Sequence, residues 1–328
     1  MITMALAGDV MLGRGVSRAV RGMAAADPWG DLLPRLAAAD LFIVNLECAI
    51  TDHDRPWSRG WKLFHFRGGP HVLKVLAAAG VDAVSLANNH TLDFEEQGLF
   101  DTLAHLDRAG IGHAGAGRTL ADAAAPAWLE AGGQKVALIA VTDNEADFAA
   151  TPTSAGTHYL PVSPSRETLA YLADLIASAR RAGADLVVFS NHWGPNMVDR
   201  PPAHFRAFAR AVVELGVDLY FGHSAHLVQG VEIHRGKPIL YDTGDFIDDY
   251  AVDPLMRNDR SFLFLVTFDG QRLTRLELIP ASLSFARVAI AQEPERAAIC
   301  RRMKALSAEL GTRLDEQDGA LLWAAEGG

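Results

Sequence analysis

One pattern recurs four times along this chain of 328 residues and limits what it can fold into. In each copy an aspartate precedes a short apolar run, and the run stops at a polar cluster. The copies are Asp40-LFIV-NLE, Asp82-AVSLA-NNH, Asp185-LVVFS-NH and Asp218-LYFG-H. Continuous apolar runs of about five residues are typical of strands buried on both faces. The pattern therefore predicts repeated buried strands with polar side chains at their carboxyl ends.

The segments between these strands have the features of helices. Glycine stands two residues before the aspartate at Gly80, Gly183 and Gly216, where the end of a helix is expected. Pro70 and Pro202 stand where the first turns of two helices would begin. Helices that alternate with buried strands predict an α/β sheet, in which ligands bind beyond the carboxyl ends of the strands.

Other apolar runs predict further elements. The additional strands are predicted at Thr3–Ala7, Lys135–Val141, Pro238–Asp242, Ser261–Phe268 and Leu273–Ile279. The dipeptide Asp269-Gly270 predicts a hairpin between the last two strands, and residues 293–312 have a helical pattern. Since no linker separates two parts of the chain, the sequence predicts a single domain.

Composition excludes several classes of protein. The 30 basic and 40 acidic residues give a net charge of −10, which argues against a nucleic-acid partner. Two cysteines, Cys48 and Cys300, are too few for a disulfide framework or a zinc knuckle. The N-terminus has no signal-peptide pattern, and no apolar window approaches the roughly 18 residues that span a bilayer. We therefore expect a soluble, cytoplasmic protein without a membrane anchor in this chain; composition indicates no oligomeric state.

The polar strand ends indicate a metal site. The clusters are Gly8-Asp9, Asn45-Leu46-Glu47, Asn88-Asn89-His90, Asn191-His192 and His223. If the strand ends share one edge, burying these side chains together would be costly without a ligand. Carboxylates, carboxamides and imidazoles without a thiolate suit a divalent ion such as Mn, Fe, Zn or Mg, and argue against a structural zinc site. The sequence therefore predicts a divalent metal ion as cofactor.

Five motifs in order along the chain resemble one family. They are GDVMLGR at 8–14, NLECAIT at 45–51, SLANNHTLDF at 85–94, NHWG at 191–194 and GHSAHLVQGVEIHRGKPILYDTGDF at 222–246. Over roughly residues 3–250 the chain resembles the CapA/PgsA family of poly-γ-glutamate capsule biosynthesis proteins. The resemblance implies an α/β metallophosphoesterase-like sandwich, with central β-sheets flanked by helices in a single domain. It implies a family domain over residues 1–285 and a C-terminal helical extension of the same domain over residues 286–328.

The resemblance also implies roles for individual residues. Asp9 matches the first metallophosphoesterase motif, and Glu47 stands where that superfamily has a bridging aspartate. The implied metal ligands are Asp9, Glu47, Asn89, His192, His223 and His226. The implied catalytic residues are Asp9, His90, His226 and Asp93, of which Asp93 would orient His90.

Departures from the superfamily pattern bear on the number of ions. Val10-Met11 occupies the segment where many phosphoesterases have a second ligand, a histidine two residues after the aspartate. His223 and His226 are spaced by three residues rather than two. Gly244-Asp245-Phe246 stands where many members have Gly-Asn-Phe, and Asp245 is expected behind the ligands. We therefore expect one tightly held ion or two ions of unequal affinity.

Basic and aromatic residues indicate an anionic substrate. Arg14 follows the first strand, and Lys62 and Arg67 lie in a loop rich in Trp and Phe. Such a loop suits a carboxylate or phosphate, although a solvated loop anchored by its aromatic residues is the alternative. The predicted substrate-binding residues are Arg14, Asn45, Lys62, Arg67 and Trp193, with Trp193 as a wall of the site. The expected partner is an anionic small molecule or peptide.

The motifs are compatible with three functions. The first is a metal-dependent hydrolase, in which metal-activated water attacks a phosphoester or an amide such as a γ-glutamyl linkage. The second is a metal-dependent peptide epimerase, in which Asp9 and a histidine exchange a proton at an α-carbon. The third is a non-catalytic accessory protein of poly-γ-glutamate synthesis. The Asn89-His90 pair and His192 favour an enzyme, because a scaffold needs no such cluster.

Overall fold

A computed structural model describes residues 1–325 of the chain. Its strands are β1 (Ile2–Val10), β2 (Leu41–Leu46), β3 (Ala49–Ile50), β4 (Arg67–Gly68), β5 (Ala83–Ser85), β6 (Gly112–Ala114), β7 (Ala116–Gly117), β8 (Ala127–Ala131), β9 (Gln134–Thr142), β10 (Gly156–Thr157), β11 (Leu186–His192), β12 (Leu219–His223), β13 (Val231–His234), β14 (Lys237–Leu240), β15 (Asp245–Ile247), β16 (Arg260–Asp269), β17 (Arg272–Ser284), β18 (Arg287–Ile290), β19 (Asp315–Gln317) and β20 (Ala320–Ala324). Its helices are α1 (Arg14–Ala19), α2 (Leu33–Leu36), α3 (Leu73–Ala78), α4 (Glu95–Ala109), α5 (Leu120–Ala124), α6 (Arg166–Arg181), α7 (Ala203–Glu214) and α8 (Glu295–Glu309).

Within the described residues the strands form two large sheets and two small pairs. The first large sheet has ten strands, in the order β19-β20-β17-β16-β1-β2-β5-β6, while β15 pairs with β1 and β18 with β17. The second has six strands, in the order β13-β14-β12-β11-β9-β8. The neighbours β1, β2, β5 and β6 are parallel, as are β9, β11, β12 and β14. Each sheet therefore has a parallel region whose carboxyl ends share one edge.

The two sheets pack face to face, and helices cover their outer faces. One apolar core joins Leu6 of β1 and Phe264 of β16 to Val188 of β11. A second core packs α3 and α4 against the first sheet, and a third packs α6 and α7 against the second. This arrangement confirms the predicted α/β sandwich, a single domain with central sheets flanked by helices.

The aspartate that begins each copy of the repeat has one structural role. Its carboxylate accepts a backbone N–H from the neighbouring parallel strand at 2.7 to 2.8 Å. Its own backbone N–H donates to the carbonyl oxygen of that same residue. The pairs are Asp40 with Thr3, Asp82 with Phe42, Asp185 with Lys135 and Asp218 with Val187. The aspartates therefore align the starts of the strands, at the opposite end from the polar clusters.

Several strands extend further than predicted. β1 continues to Val10, so Asp9 lies inside the strand rather than after it. Similarly, His192 and His223 are the last residues of β11 and β12. The predicted hairpin is present as the antiparallel pair of β16 and β17. These three polar side chains are thus held by strand backbone that neighbouring strands keep in place, with an irregularity of β1 on either side of Asp9.

The C-terminal segment is less helical than predicted. Between residue 286 and the end of the described chain there is one helix, α8, but also three strands, β18 to β20. Ile299 and Met303 of α8 join the core between the sheets, and β20 pairs with β17. Without β20 that side of β17 would expose unpaired backbone groups, which explains why this part is a strand rather than a helix. Residues 326–328 of the predicted extension lie outside the described residues.

Two cysteines and one histidine are buried for structural reasons. Cys48 and Cys300 are unpaired, and burial raises the pKa of Cys48 to about 12, so this thiol is a poor nucleophile. His158 lies with Nδ1 2.9 Å from the carbonyl oxygen of Ala140 and Nε2 2.7 Å from the Tyr171 hydroxyl. Burial lowers the pKa of His158 to about 4, so its ring is neutral near pH 7.

Among residues 1–325, no helix combines the length and the apolar character that crossing a membrane requires.

Candidate metal centre and cleft

The carboxyl ends of parallel strands from both sheets meet at one end of the sandwich. β1 and β2 bring Asp9 and Asn45, whereas β11 and β12 bring His192 and His223. Asn45 donates from Nδ2 to Asp9 Oδ1 at 2.7 Å and lies 3.5 Å from His192 Nδ1. Asp9 Oδ1 is 3.8 Å from His223 Nδ1. The site therefore spans two sheets rather than following the edge of one.

Three of these side chains form a first group of potential metal ligands: Asp9, His192 and His223. The Nδ1 atoms of the two histidines are 2.9 Å apart. Two nitrogens at about 2.0–2.1 Å from one tetrahedral ion lie roughly 3.3 Å apart, which is close to this spacing. Ser190 Oγ lies 2.8 Å from His223 Nε2 and orients that ring, leaving Nδ1 for an ion. Burial lowers the pKa of both histidines, that of His223 to about 4, so both are neutral, as metal binding requires.

A second group comprises Asp9, Glu47, His226 and Asp245. His226 Nδ1 lies 2.7 Å from Asp245 Oδ1 and 3.4 Å from Asp9 Oδ2. Tyr250 donates its hydroxyl to Glu47 Oε2 at 2.9 Å and holds that carboxyl group in place. In each group the potential ligand atoms all lie within 4.8 Å of one another. Asp9 belongs to both groups, so its carboxylate would be available to an ion held by either.

Buried oxygen atoms test whether a cation fits this site. Among the described residues, Asp9 Oδ2, Glu47 Oε1, Asn89 Oδ1 and Asp245 Oδ2 are buried and accept no hydrogen bond. Leaving such an acceptor unsatisfied costs about 1–3 kcal/mol, and more for a charged group. Carboxylate, carboxamide and imidazole donors are a set that divalent ions prefer. The residues present therefore fit a divalent metal ion.

The second group buries three carboxyl groups around one histidine. Burial opposes ionisation of Asp9, but the hydrogen bond and charge of His226, together with the neighbouring His192 and His223, lower the pKa of Asp9 to about 2. Burial and the Asp9 charge raise the pKa of Glu47, and burial raises the pKa of Asp245 to about 6. Burial also opposes the charge of His226, yet Asp245 and Asp9 hold the pKa of His226 above its usual range. One imidazolium thus faces three carboxyl groups. A bound cation would balance the negative charge that the imidazolium does not neutralise when these groups ionise.

His90 and Asp93 form a pair beside the second group. His90 Nδ1 lies 2.6 Å from Asp93 Oδ2, and His90 Nε2 lies 3.9 Å from Glu47 Oε1. The His90 ring stacks on Phe66 with 3.7 Å between the ring centroids. Burial and the charge of Lys62 lower the pKa of His90. A neutral imidazole whose orientation is fixed by a carboxylate and an aromatic ring is suited to accept a proton at Nε2.

A cleft of about 590 Å³ opens at these groups. Both His90 and His226 line it, together with the basic side chains Arg14 and Lys62. Exposed aromatic and aliphatic residues of the loop over residues 61–66 form one wall. Lys62 donates from Nζ to the carbonyl oxygen of Asn89 at 2.6 Å and lies 3.4 Å from the Asp93 carboxyl group. Positive charge, apolar walls and two histidines suit an anionic organic molecule.

Most of the residues predicted for the site lie together. The two groups contain five of the six predicted metal ligands, and Asn89 adds a buried carboxamide oxygen at the cleft. His90, His226, Arg14 and Lys62 line the cleft. The structure thus brings these side chains together, and their roles stay predictions.

Two residues near the strand ends have other positions than expected. Asn45, predicted to bind substrate, is fully buried, donates to Asp9 and does not line the cleft, so it holds the Asp9 carboxylate in place instead. Glu47, predicted to bridge, belongs only to the second group, whereas Asp9 is shared by both. The reason is geometric, because Asp9 lies in β1, a central strand of the first sheet, whereas Glu47 follows the end of the neighbouring strand β2.

Two further predicted substrate residues do not line the cleft. Arg67 donates to the carbonyl oxygen of His53 at 2.7 Å and lines a neighbouring pocket. Trp193 is 3% exposed, donates to the carbonyl oxygen of Tyr241 and packs in the outer core of the second sheet. Trp193 directly follows His192, and successive side chains of an extended chain point to opposite sides. A residue next to a ligand is therefore turned away from the site.

Two residues of the site were not found from the motifs. Asp245, expected behind the ligands, lies among them because β15 pairs in parallel with β1 and places Asp245 opposite Asp9. The feature of the sequence that pointed to this position is the aspartate in place of the asparagine found in many family members. No motif pointed to Tyr250, because it contacts Glu47 from 203 positions away in the chain.

Two glycines allow the close approach of backbones just before Asp9 and His223. A Cβ atom on Gly8 would lie 1.8 Å from the carbonyl oxygen of Gly244. A Cβ atom on Gly222 would lie 2.0 Å from the carbonyl oxygen of Tyr241. Both separations are far below van der Waals contact, so only glycine lets these strands bring the potential ligands Asp9 and His223 together.

Comparisons with known proteins agree with the motifs. Residues 3–250 match the family described as bacterial capsule synthesis protein PGA_cap. The chain is 30% identical to a Mycobacterium tuberculosis protein named "Probable polyglutamine synthesis accessory protein", in an alignment that covers 98% of this chain and 95% of that protein. It is 28% identical over 250 residues to the capsule biosynthesis protein CapA of Bacillus anthracis, covering 76% of this chain and 60% of that protein.

A solved structure of a hypothetical protein from Thermus thermophilus is similar with a TM-score of 0.49 and 17% identity, covering 86% of this chain and all of that one. The family match spans the five motifs and most of the chain, and it confirms the resemblance that those motifs indicated. The protein therefore belongs to the PGA_cap family of bacterial capsule synthesis proteins.

Proposed function

We propose that this protein is a metal-dependent hydrolase that cleaves a phosphoester or amide bond in an anionic substrate. The observation that supports it best is the group of buried oxygen atoms around Asp9 that have no protein partner. They adjoin a cleft lined by His90 and His226. A divalent cation held by these residues would satisfy the oxygens, and the adjoining cleft would give a substrate access to it.

The two ligand groups are assigned to two ions of unequal affinity. Asp9, His192 and His223 would hold one ion with one carboxylate and two neutral imidazoles. Glu47 and Asp245 bring the number of carboxyl groups in the second group to three, with Asn89 close by. When bound, such ions polarise the scissile group and lower the pKa of bound water towards about 7.

His90 is assigned the transfer of a proton. Its neutral Nε2 accepts a proton from the attacking water and delivers it to the leaving atom. Asp93, at 2.6 Å from Nδ1, stabilises the imidazolium that exists between these two steps. Phe66 stacks on the ring and keeps Nε2 directed to the cleft. Proton transfer by a positioned histidine is typically worth about 10²–10⁴ in rate.

Arg14 and Lys62 are assigned to the anionic part of the substrate. Both line the cleft, and Lys62 is almost fully buried beside Asp93. Charge-assisted hydrogen bonds from such groups to carboxylate or phosphate are stronger than neutral ones. The loop with Trp61 and Phe64 supplies apolar contact on the same side of the cleft.

The test is metal-dependent turnover by purified protein loaded with Mn, Fe, Zn or Mg. Substrates are an aryl phosphomonoester, an aryl phosphodiester and a γ-glutamyl anilide. We expect turnover of at least one, which a chelator abolishes. His90→Ala should lower kcat by about 10²–10⁴ with metal content unchanged, and Asp9→Ala should lose the metal. His105→Ala, on α4 and outside the cleft, is the matched control.

A non-catalytic role in polymer synthesis is the second candidate, because a similar M. tuberculosis protein is named as an accessory protein. Wild-type protein that holds its metal yet converts none of these substrates would favour this role over the hydrolase. An epimerase is distinguished by deuterium uptake from D₂O at the α-carbon of a peptide without hydrolysis. That result would replace the hydrolase by the epimerase.

A further inference from the structure

A second pocket, which we call the arginine pocket, lies beside the cleft. It encloses about 360 Å³ and is lined by four arginines: Arg14, Arg18, Arg21 and Arg67. The loop over residues 64–67 separates it from the cleft, because Phe64 and Phe66 line the cleft whereas His65 and Arg67 line the arginine pocket. This alternation follows from the extended backbone of the loop.

The arginine pocket has more positive than negative charge, in a chain whose net charge is −10. Asp52 is the one carboxylate among its lining residues. Within the described part of the chain, no carboxylate lies within 4.0 Å of the guanidinium groups of Arg18, Arg21 or Arg67. His65 Nε2 at this pocket is buried and has no hydrogen-bond partner. Unbalanced guanidinium groups and a free buried ring nitrogen together indicate an oxyanion as ligand.

Arg14 connects the arginine pocket to the reacting groups, because it lines both cavities. Its guanidinium lies 5.2 Å from the centroid of the Phe66 ring and 3.2 Å from Asp249. The Phe66 ring stacks on His90, so one aromatic ring separates Arg14 from the histidine assigned to proton transfer. The backbone of Arg14 has a φ of 48°, a conformation that is uncommon and strained for a residue other than glycine.

We propose that the arginine pocket binds a second oxyanion of the substrate, so that the substrate has at least two anionic groups. The scissile bond lies in the cleft beside His90, and the distal carboxylate or phosphate lies among Arg18, Arg21 and Arg67. A guanidinium group can bind either a carboxylate or a phosphate in bidentate geometry. This inference rests on the proposed hydrolase and deepens it, since it makes the substrate an extended di- or polyanion.

The test measures binding to the metal-loaded protein by calorimetry, with His90→Ala present in every protein compared, wild-type pocket and variants alike, so that turnover of the probes is suppressed. The carboxylate probe is a γ-linked glutamate trimer, and the phosphate probe is 1,6-hexanediol bisphosphate. The variant Arg18→Ala/Arg21→Ala removes two exposed guanidinium groups of the pocket. The control Arg166→Ala/Arg181→Ala removes the same charge from exposed positions of α6. Unchanged thermal unfolding shows that each variant is folded.

We expect the pocket variant to bind one or both probes at least about tenfold more weakly, whereas the control stays within about twofold of the wild type. Weaker binding of one probe identifies carboxylate or phosphate as the ligand, and weaker binding of both shows that the pocket accepts either oxyanion. Equal binding by wild type and pocket variant overturns the proposal, as does an equal loss in the control. Wild-type protein that binds neither probe also overturns it.

The two proposals fail separately. Protein that loses probe binding on the pocket substitution but hydrolyses none of the ester or amide substrates retains the arginine pocket and refutes the hydrolase. Protein with metal-dependent turnover whose probe binding ignores Arg18 and Arg21 retains the hydrolase and refutes the arginine pocket.

Discussion

Replacing Glu47 by glutamine should change the stability of the protein in opposite directions with and without metal. Glu47 is fully buried, and burial and the Asp9 charge raise its pKa in the folded chain. An acid whose folded pKa is raised loses stability as the pH rises above its ordinary pKa, because ionisation is disfavoured in the folded state. Glutamine has nearly the same shape and does not ionise. Without metal, Glu47→Gln should therefore be as stable as the wild type at pH 5 and more stable at pH 8.

The magnitude follows from the spacing of the carboxyl groups. The ligand atoms of Asp9 and Glu47 lie within 4.8 Å of each other. Two unit charges about 4 Å apart repel by about 4 kcal/mol at an effective dielectric constant near 20. Since Glu47 can take up a proton instead, only part of this cost appears. We expect metal-free Glu47→Gln to gain about 1–3 kcal/mol at pH 8, a rise in Tm of a few degrees.

With metal, the sign reverses. An ion present at one hundred times its Kd stabilises the folded protein by about 2.7 kcal/mol. If losing the Glu47 carboxylate weakens binding of the ion by about one hundredfold, the same concentration of metal stabilises the folded protein by only about 0.4 kcal/mol. The rise in Tm on adding metal should therefore be several degrees in the wild type and nearly absent in Glu47→Gln.

The assay is thermal unfolding at pH 5 and pH 8, in chelator and in excess Mn or Zn, with metal content measured in parallel. Glu130→Gln, an exposed position of β8, is the control for loss of one negative charge. If chelation leaves the Tm of the wild type unchanged, the buried carboxyl groups do not need a cation and the reasoning fails. It also fails if metal-free Glu47→Gln is less stable than the wild type at pH 8.

Three further substitutions test other parts of the structure. Burial lowers the pKa of His158 to about 4, so protonation favours the unfolded chain below pH 6.5. Between pH 7 and pH 4 the free energy of unfolding, measured with urea, should therefore fall by about 3 kcal/mol more in the wild type than in His158→Asn. Gly222→Ala places a Cβ atom 2.0 Å from the carbonyl oxygen of Tyr241 and should cost about 3 kcal/mol or more, with loss of metal at His223. Asp82→Ala leaves the N–H of Phe42 without its carboxylate and should cost about 1–2 kcal/mol with metal content unchanged.

For each of these substitutions, one outcome would contradict the prediction. Parallel pH profiles for the wild type and His158→Asn would show that this histidine is not held neutral. A Gly222→Ala protein with normal stability and metal content would show that the two strands can separate. For Asp82→Ala, a loss no greater than that of Asp174→Ala, an exposed position of α6, would refute the role of the aspartates in aligning strands.

Local patterns in the sequence identified the parallel strands and the side chains at their ends. The apolar runs after Asp40, Asp82, Asp185 and Asp218 predicted buried strands because only strands covered on both faces are continuously apolar. The same aspartates are hydrogen-bond partners of neighbouring strands, which the pattern could not reveal. Hydrogen-bond partners depend on which strands become neighbours, and this is a long-range property.

Adjacency in sequence was a poor guide to which side chains contact the cleft. Trp193 follows a ligand, and Arg67 lies beside Phe66, yet neither lines the cleft, because side chains of extended chain alternate between two sides. Asp245 and Tyr250, by contrast, reach the site from distant positions. The motifs identified residues able to bind a metal ion or transfer a proton, but they did not show which way each side chain points.

The sequence by itself determined the α/β class, the buried strands and most of the potential metal ligands, since these depend on local apolar patterns and on residue types at strand ends. Only the tertiary structure decided that these ends come from two sheets, that Asp9 rather than Glu47 is shared by both ligand groups, and that Asp245 joins them. It also separated the cleft from the arginine pocket. These features depend on sheet pairing and on the packing of one sheet against the other, which bring together residues far apart in the chain.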